Sequence, residues 1–401
     1  MYKPLEGVKV LDFTLAGSAP AGTGMLAEMG ADVTWVEPLE GNSARSIHEL
    51  YYYCAGKRSV TLNLKSPEGL EAMYRLVKEA DVFCTNYRMK SVIKLGLGYE
   101  KLKELNPRII YASLTGWGDT GPKANDPGFD TVCFWARGGM LQDFAEAGTL
   151  VVPPVAVGDI HTGESLAMGV TSALYRREKT GEGVDLTVSI LRQAVIANHD
   201  ALIECQYGEK YPKSRLAPRR ALLNTYKCSD GKWLTLLTTY FEKHFNKVLT
   251  IIGREDLIGD PRWTRIEDTM YEHAPELVKI LDEGFAKMTR DEALAKLKAE
   301  DVACEAVQGT EDMLTDPQIL DNGYLRPWHN AKNGKDYQFP VLSPVAFQGD
   351  LSTPAYAPAP RLGEHSVEIL KSVGYTDAEV QDMIQKGVTN VTDTELTVDI
   401  D

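Results

Sequence analysis

The sequence predicts an α/β protein: a large, Rossmann-like domain on a doubly wound parallel sheet, and a smaller α+β domain. Three observations carry this. Short β-branched runs alternate with helical stretches over residues 1–207, as in a parallel sheet with crossover helices. A polar, basic, Pro-containing stretch at 208–223 interrupts the alternation. Hairpin chemistry and amphipathic helices then take over in 224–315.

In order, residues 8–13 read as the first strand, 21–29 as a helix, 33–36 as the second strand and 59–64 as the third. Ser66-Pro67-Glu68-Gly69 opens a helix to residue 80, with a cap residue and Pro at the first position. Strands follow at 81–85 and 109–113. The apolar run 151–157 leads to a helix over 162–179, in which Leu166, Ala167, Val170, Leu174 and Tyr175 recur at helical spacing. A Gly-containing turn, a strand at 184–189 and a helix to about residue 207 complete the large domain. In the small domain, 226–228 and 233–237 flank the turn Ser229-Asp230-Gly231-Lys232, and helices are expected at 241–252, 276–288 and 290–300. Residues 316–401 hold Pro- and Gly-rich loops and helices at about 366–373 and 377–385. This stretch has too little apolar content for its own core, so it is expected to pack on the large domain or on a partner chain. The acidic end, 393–401, reads as frayed.

A chain of 401 residues, 43% hydrophobic and 25% charged, can bury a large core. Met1-Tyr2-Lys3-Pro4 shows no basic and apolar leader, and no apolar run reaches the roughly 18 residues a membrane span needs. The expectation is a cytoplasmic protein. Six cysteines without CxxC pairing suggest free thiols and no metal site. A formal net charge of −14 argues against nucleic acid and membrane surfaces as partners, and an anionic ligand then requires a local basic cluster.

Asp159 is the leading candidate for chemistry. It stands between the apolar run and the helix, beside Gly158, where unpaired backbone N–H groups and a partial positive end can hold an anion. A cap or turn residue is the plainer reading. The turn Ala16-Gly17-Ser18-Ala19-Pro20, with Glu37 about 20 residues on, invites a nicotinamide-cofactor reading, but the G-x-G-x-x-G spacing is absent. Arg45, Lys57, Arg58, Lys65, Arg88, Lys90 and Lys94 interleave with Tyr51, Tyr52, Tyr53 and Tyr87, a lining suited to a ligand with several phosphates and an aromatic base. Asp130, in Pro127-Gly128-Phe129-Asp130, is either a cap or a second carboxylate beside Asp159, and Gly138 and Gly139 can admit a ligand close to backbone. Tyr51 to Tyr53, Phe134, Trp135 and Met140 are candidates for an apolar acyl pocket, or plain core.

Val10-Leu11-Asp12-Phe13-Thr14, Gly30-Ala31-Asp32-Val33, the run Lys57-Arg58-Ser59-Val60-Thr61-Leu62-Asn63-Leu64-Lys65, Leu105-Asn106-Pro107-Arg108, Gly158-Asp159 and Leu362-Gly363-Glu364-His365 together resemble the class III (formyl-CoA transferase, CaiB-type) CoA-transferases over nearly the whole chain. Pro127-Gly128-Phe129-Asp130, Phe134-Trp135-Ala136-Arg137-Gly138-Gly139 and Gly253-Arg254-Glu255-Asp256-Leu257 look most like the 2-hydroxyacid branch, the phenyllactate and 2-hydroxyisocaproate CoA-transferases of anaerobic amino-acid fermentation. The resemblance implies that Asp159 is acylated by an acyl-CoA and passes through a mixed anhydride and an enzyme thioester. It implies that Arg45, Leu62, Lys65, Asn86, Tyr87, Arg88 and Lys94 lie along CoA, with Gly17, Asp130, Gly138 and Gly139 on the substrate side. It further implies an interlocked homodimer, with the large domain completed by both chain ends, and no tightly bound cofactor: the CoA thioester is itself a substrate. Two departures stand out. Gly17 replaces the family's first-turn glutamine, and Arg220-Ala221-Leu222-Leu223-Asn224 replaces a glycine run. An α-methylacyl-CoA racemase-like enzyme is the main alternative, although Phe129 stands where its Gly-His-Asp carries the proton-shuttling His and only His161 is near enough in sequence to substitute. A noncatalytic CoA-binding subunit is the third reading.

Overall fold

The computed structural model describes residues 3–42, 45, 47, 52–146, 148–238, 240–330, 334–347 and 357–391. The chain divides into two compact units: one of Met1–Met140, Pro153–Ile203 and Gln318–Asp401, the other of Leu141–Val152 and Glu204–Pro317.

The first unit is built on β1 (Lys9–Phe13), α1 (Ser18–Glu28), β2 (Asp32–Glu37), β3 (Arg58–Thr61), α2 (Pro67–Glu79), β4 (Val82–Thr85), α3 (Met89–Lys94), α4 (Tyr99–Leu105), β5 (Ile110–Thr115), α5 (Val157–Thr180) and β6 (Val184–Ser189). The six strands are parallel, in the order β3-β2-β1-β4-β5-β6. Apolar residues cover both faces of the central strands, as parallel sheets require: Val10, Leu11, Val33, Val36, Val82, Phe83, Ile110 and Tyr111 are all buried. The chain winds outward through β2 and β3, then returns to place β4 on the other side of β1. That reversal opens a crevice at the carboxyl ends of β1 and β4.

Local chemistry sets the helix starts. The Ser66 hydroxyl accepts a hydrogen bond from the Gly69 N–H at 3.1 Å and caps α2, with Pro67 at the first position. Helix α1 begins at Ser18, earlier than the spacing predicts, because Pro20 fits a first turn where its missing N–H is not needed. Helix α5 begins at Val157 rather than 162: Ala156 turns the chain with φ 65°, so Asp159 lies inside the first turn instead of ahead of it. The preceding apolar run forms no strand, and Val152 and Val155 are exposed. Helices α1 and α5 cross through glycines, since a Cβ on Gly22 would come within 2.7 Å of the Gly163 carbonyl.

Helices at Ile190–Ala197 and His199–Gln206 follow β6. In the second unit, strands Leu223–Lys227, Trp233–Leu237 and Ala303–Ala306 form an antiparallel sheet. It shares a core with helices Phe241–Ile251, Ala274–Phe285 and Arg290–Ala299 through Tyr226, Leu234, Phe245, Leu277, Phe285 and Leu297. Ala221 and Leu222, placed by composition in the connecting stretch, belong to that core. Residues 325–340, read as loop, form a hairpin of Leu325–Asn330 and Lys335–Pro340. Helices Ser366–Ser372 and Asp377–Gln385 send Ile369, Leu370, Val380 and Met383 into the core of the first unit, with Leu11, Phe83 and Tyr111. Residues 393–401 lie outside the described residues.

Candidate active site

The crevice at the sheet reversal is a cavity of about 1030 Å³. Leu15 to Ser18 line it from the β1 end, Asn86 to Met89 from the β4 end, and Ser113 to Gly116 from the β5 end, and Phe129, Asp159, Asp185 and Ile190 are among the other lining residues. Two polar devices hold its rim. The Asn86 side chain spans the gap between strands, accepting from the Leu15 N–H at 2.9 Å and donating to the Leu15 carbonyl at 2.6 Å. Below it, Lys57 Nζ reaches the Asp12 carboxylate at 2.8 Å and donates to Thr23 Oγ1 and the Pro20 carbonyl, all without access to water. This buried pair fastens the end of β1 to α1, just under the turn that carries Gly17.

Asp159 stands where that turn meets the start of α5. A Cβ on Gly17 would lie 2.9 Å from Asp159 Oδ2, so only glycine leaves the carboxylate undisturbed. Ser18 Oγ donates to the Asp159 carbonyl at 3.1 Å, locking α1 to the first turn of α5. Burial pushes the Asp159 carboxyl up to about 7, the charge of Asp130 adds to the rise, and the Ser18 hydroxyl opposes it. Asp130, only 6% exposed, presses Oδ1 toward Gly158, where a Cβ would come within 2.4 Å. Burial raises its carboxyl too, against the backbone N–H groups of Gly158, Asp159 and Ala156, which favour its charge. Asp130 therefore packs against the first turn of α5 at Gly158, and Asp159 lines the cavity.

Of the residues singled out from sequence, Gly17, Asn86, Tyr87, Arg88 and Asp159 come together on the cavity wall. The Tyr87 ring stacks on Phe13 with centroids 4.5 Å apart. The others lie elsewhere. Arg45 is held by Glu37, with Nε to Oε1 at 2.7 Å, and stacks over Trp35; the same contact takes Glu37 out of any cofactor role. Arg58 pairs with Asp32 at 2.6 Å and with Glu368. Leu62 is core, and Lys65, Lys90 and Lys94 are exposed away from the lining. Gly138 packs against Ala194 and gives its carbonyl to Asn198 Nδ2 at 2.6 Å, while Gly139 serves a turn with φ 89°. Tyr52, Tyr53, Phe134, Trp135 and Met140 are core rather than acyl pocket, and Tyr51 lies outside the described residues. His161 is bonded to Glu164 at 3.1 Å and does not line the cavity. Ser18 and Phe129 were named from sequence only as parts of motifs, and Leu15, Asp185 and Ile190 were missed. Their signal is position alone, at or beside the strand ends where α/β sheets bind ligands.

Among the described residues no group of His, Cys, Asp and Glu could hold a metal ion, and no helix is long and apolar enough to cross a membrane. A poorly hydrated carboxylate at a helix start, beside a cavity of this volume, has the properties of an acyl-accepting nucleophile. The chain belongs to CoA-transferase family III, whose sequence profile matches residues 5–366. It is a class III CoA-transferase. It is 35% identical to the (R)-2-hydroxy-4-methylpentanoate CoA-transferase of Clostridioides difficile, covering 94% of this chain and 97% of that one. It is 33% identical to the cinnamoyl-CoA:phenyllactate CoA-transferase of Clostridium sporogenes, with 94% and 95% covered. The crystal structure of Rv3272 from M. tuberculosis superposes with a TM-score of 0.81 at 28% identity, covering 91% of this chain and 98% of that one. A CAIB/BAIF family protein from Brucella suis superposes at 0.77, also 28% identical, with 93% and 100% covered.

Proposed function

We propose that this enzyme moves CoA between an acyl-CoA and a 2-hydroxycarboxylic acid, as in anaerobic amino-acid fermentation, through acyl intermediates on Asp159. The observation that carries the proposal is the position of Asp159 at the sheet reversal, against Gly17 and half-withdrawn from water. The names of the two clostridial relatives support the class of acid.

A carboxylate oxygen of Asp159 attacks the thioester carbonyl. The C–S bond breaks, CoA leaves as thiolate, and a mixed anhydride remains. The thiolate then attacks the aspartyl carbonyl, expelling the first acid as carboxylate and leaving an aspartyl-CoA thioester. An incoming carboxylate reverses the two steps on a new acyl group. Each step exchanges one nucleophile for one leaving group, so no net proton transfer is required. N–H groups at the starts of α1 and α5 offset the charge that develops at the aspartyl carbonyl. Asn86, Tyr87 and Arg88 take the CoA side of the cavity and Gly17 the acid side, with Asp130 supporting the first turn of α5. The enzyme acts in the cytoplasm as an interlocked homodimer.

Trapping tests the proposal. The protein incubated with acyl-CoA alone and then with hydroxylamine or borohydride is expected to carry a modification on the Asp159 peptide only. Exchange of the α-hydrogen for deuterium without any adduct would instead support the racemase.

A further inference from the structure

Phe129 lines the same cavity as Asp159, and 59% of its surface is exposed. Its backbone is fixed on both sides. A Cβ on Gly128 would come within 2.7 Å of Gly116 Cα, and Trp117 Nε1 donates to the Pro127 carbonyl at 3.1 Å. Beyond it, Asp130 is buried against Gly158, and the Phe129 carbonyl accepts from the Cys133 N–H at 2.8 Å. With Asp130 turned in toward α5, the ring is carried on a rigid mount to the cavity face.

A phenyl ring so held has apolar area that a substrate can cover, and covering it is favourable. Leu15 and Ile190 are apolar residues of the same lining, which also carries the charged Glu100, Lys101, Asp119, Asp126 and Asp185. An alkyl or aryl group placed on the ring gains burial. A second carboxylate there would face an apolar ring in a cavity that also carries Asp119, Asp126, Asp159 and Asp185.

We propose that Phe129 selects the side chain of the acid: its ring packs on the group next to the reacting carboxylate and favours branched aliphatic and aromatic acids over short acids and dicarboxylates. The inference rests on the reading of Asp159 as the acylated residue. It is tested with one acyl-CoA donor and 2-hydroxy acids bearing hydrogen, methyl, isobutyl or benzyl side chains, on the wild type, Phe129→Ala and Phe129→Tyr. The ratio of kcat/KM for the benzyl acid to that for the hydrogen acid is expected to fall about tenfold or more in Phe129→Ala and to be kept in Phe129→Tyr. A ratio within about twofold of wild type in Phe129→Ala overturns the proposal, including the case in which all acids lose activity in parallel. Asp159 labelling by acyl-CoA alone, measured on the same preparations, separates the two readings. Absence of label in the wild type defeats the covalent mechanism, and label with an unmoved ratio defeats only the role of Phe129.

Discussion

Asp159 has two tasks that pull its ionisation in opposite directions. Burial and Asp130 together hold its carboxyl near 7. Attack on a thioester requires the anion, and a carboxylate stripped of water is the better nucleophile. The sign of the pH dependence follows. The nucleophilic fraction grows as pH rises through about 7 and saturates above it, so acylation in a single turnover is expected to show an acid limb near neutrality. Asp130→Asn removes the neighbouring charge, one of the causes that raise Asp159, and should move that limb to lower pH. A limb that stays in place or moves up would show that the two carboxylates are not coupled. Asp159 was legible from its junction between an apolar run and a helix. Asp130 was legible only as one of two alternatives, cap or second carboxylate; in the fold it makes no side-chain cap bond to α5, and its charge acts on Asp159.

At the scale of elements, the site depends on how β1 is fastened to α1. Lys57 and Asp12 pair at 2.8 Å with both side chains fully buried, and Thr23 bonds to both. Replacing Lys57 by Ala leaves a carboxylate buried without its cation, and the expected loss is about 3–5 kcal/mol of stability, read as a lower urea midpoint. Lys57→Ala together with Asp12→Asn should recover much of it, because the stranded charge is gone; equal losses in the single and double variants would contradict this account. These elements also show where sequence reading stops. The strands of the parallel sheet were legible because both of their faces are buried, which writes continuous β-branched runs. The hairpin at 325–340 was not, since Pro327 and Pro340 and polar residues interrupt its pattern. The basic cluster misled for another reason. Charge counts do not reveal that Arg45, Lys57 and Arg58 are spent on Glu37, Asp12 and Asp32, the first two pairs inside the fold and the third at its surface.

For the whole molecule, the helices at Ile190–Ala197 and His199–Gln206 leave Val195, Ile196, Leu202 and Ile203 exposed, and the second of them buries no residue. Apolar area of this kind is costly on a monomer and supports the proposed homodimer. Sedimentation is expected to find a dimer that persists at nanomolar concentration, as interlocked chains must; a monomer under those conditions would refute interlocking. The carbon skeleton of the acid was not legible from sequence. The aromatic runs that suggested an acyl pocket turn inward as core, and Phe129, which shares the cavity lining with Asp159, is flanked by two residues whose own packing fixes its backbone.

The covalent route can be read most directly with an isotope. When the acceptor acid carries 18O in its carboxylate, one labelled oxygen must remain on the aspartyl carboxylate after each completed transfer, because the bridging oxygen of the second anhydride comes from the acid. Mass spectrometry of the peptide containing Asp159 is predicted to show 18O after turnover, and only there. Full product formation with an unlabelled Asp159 peptide would contradict the central claim.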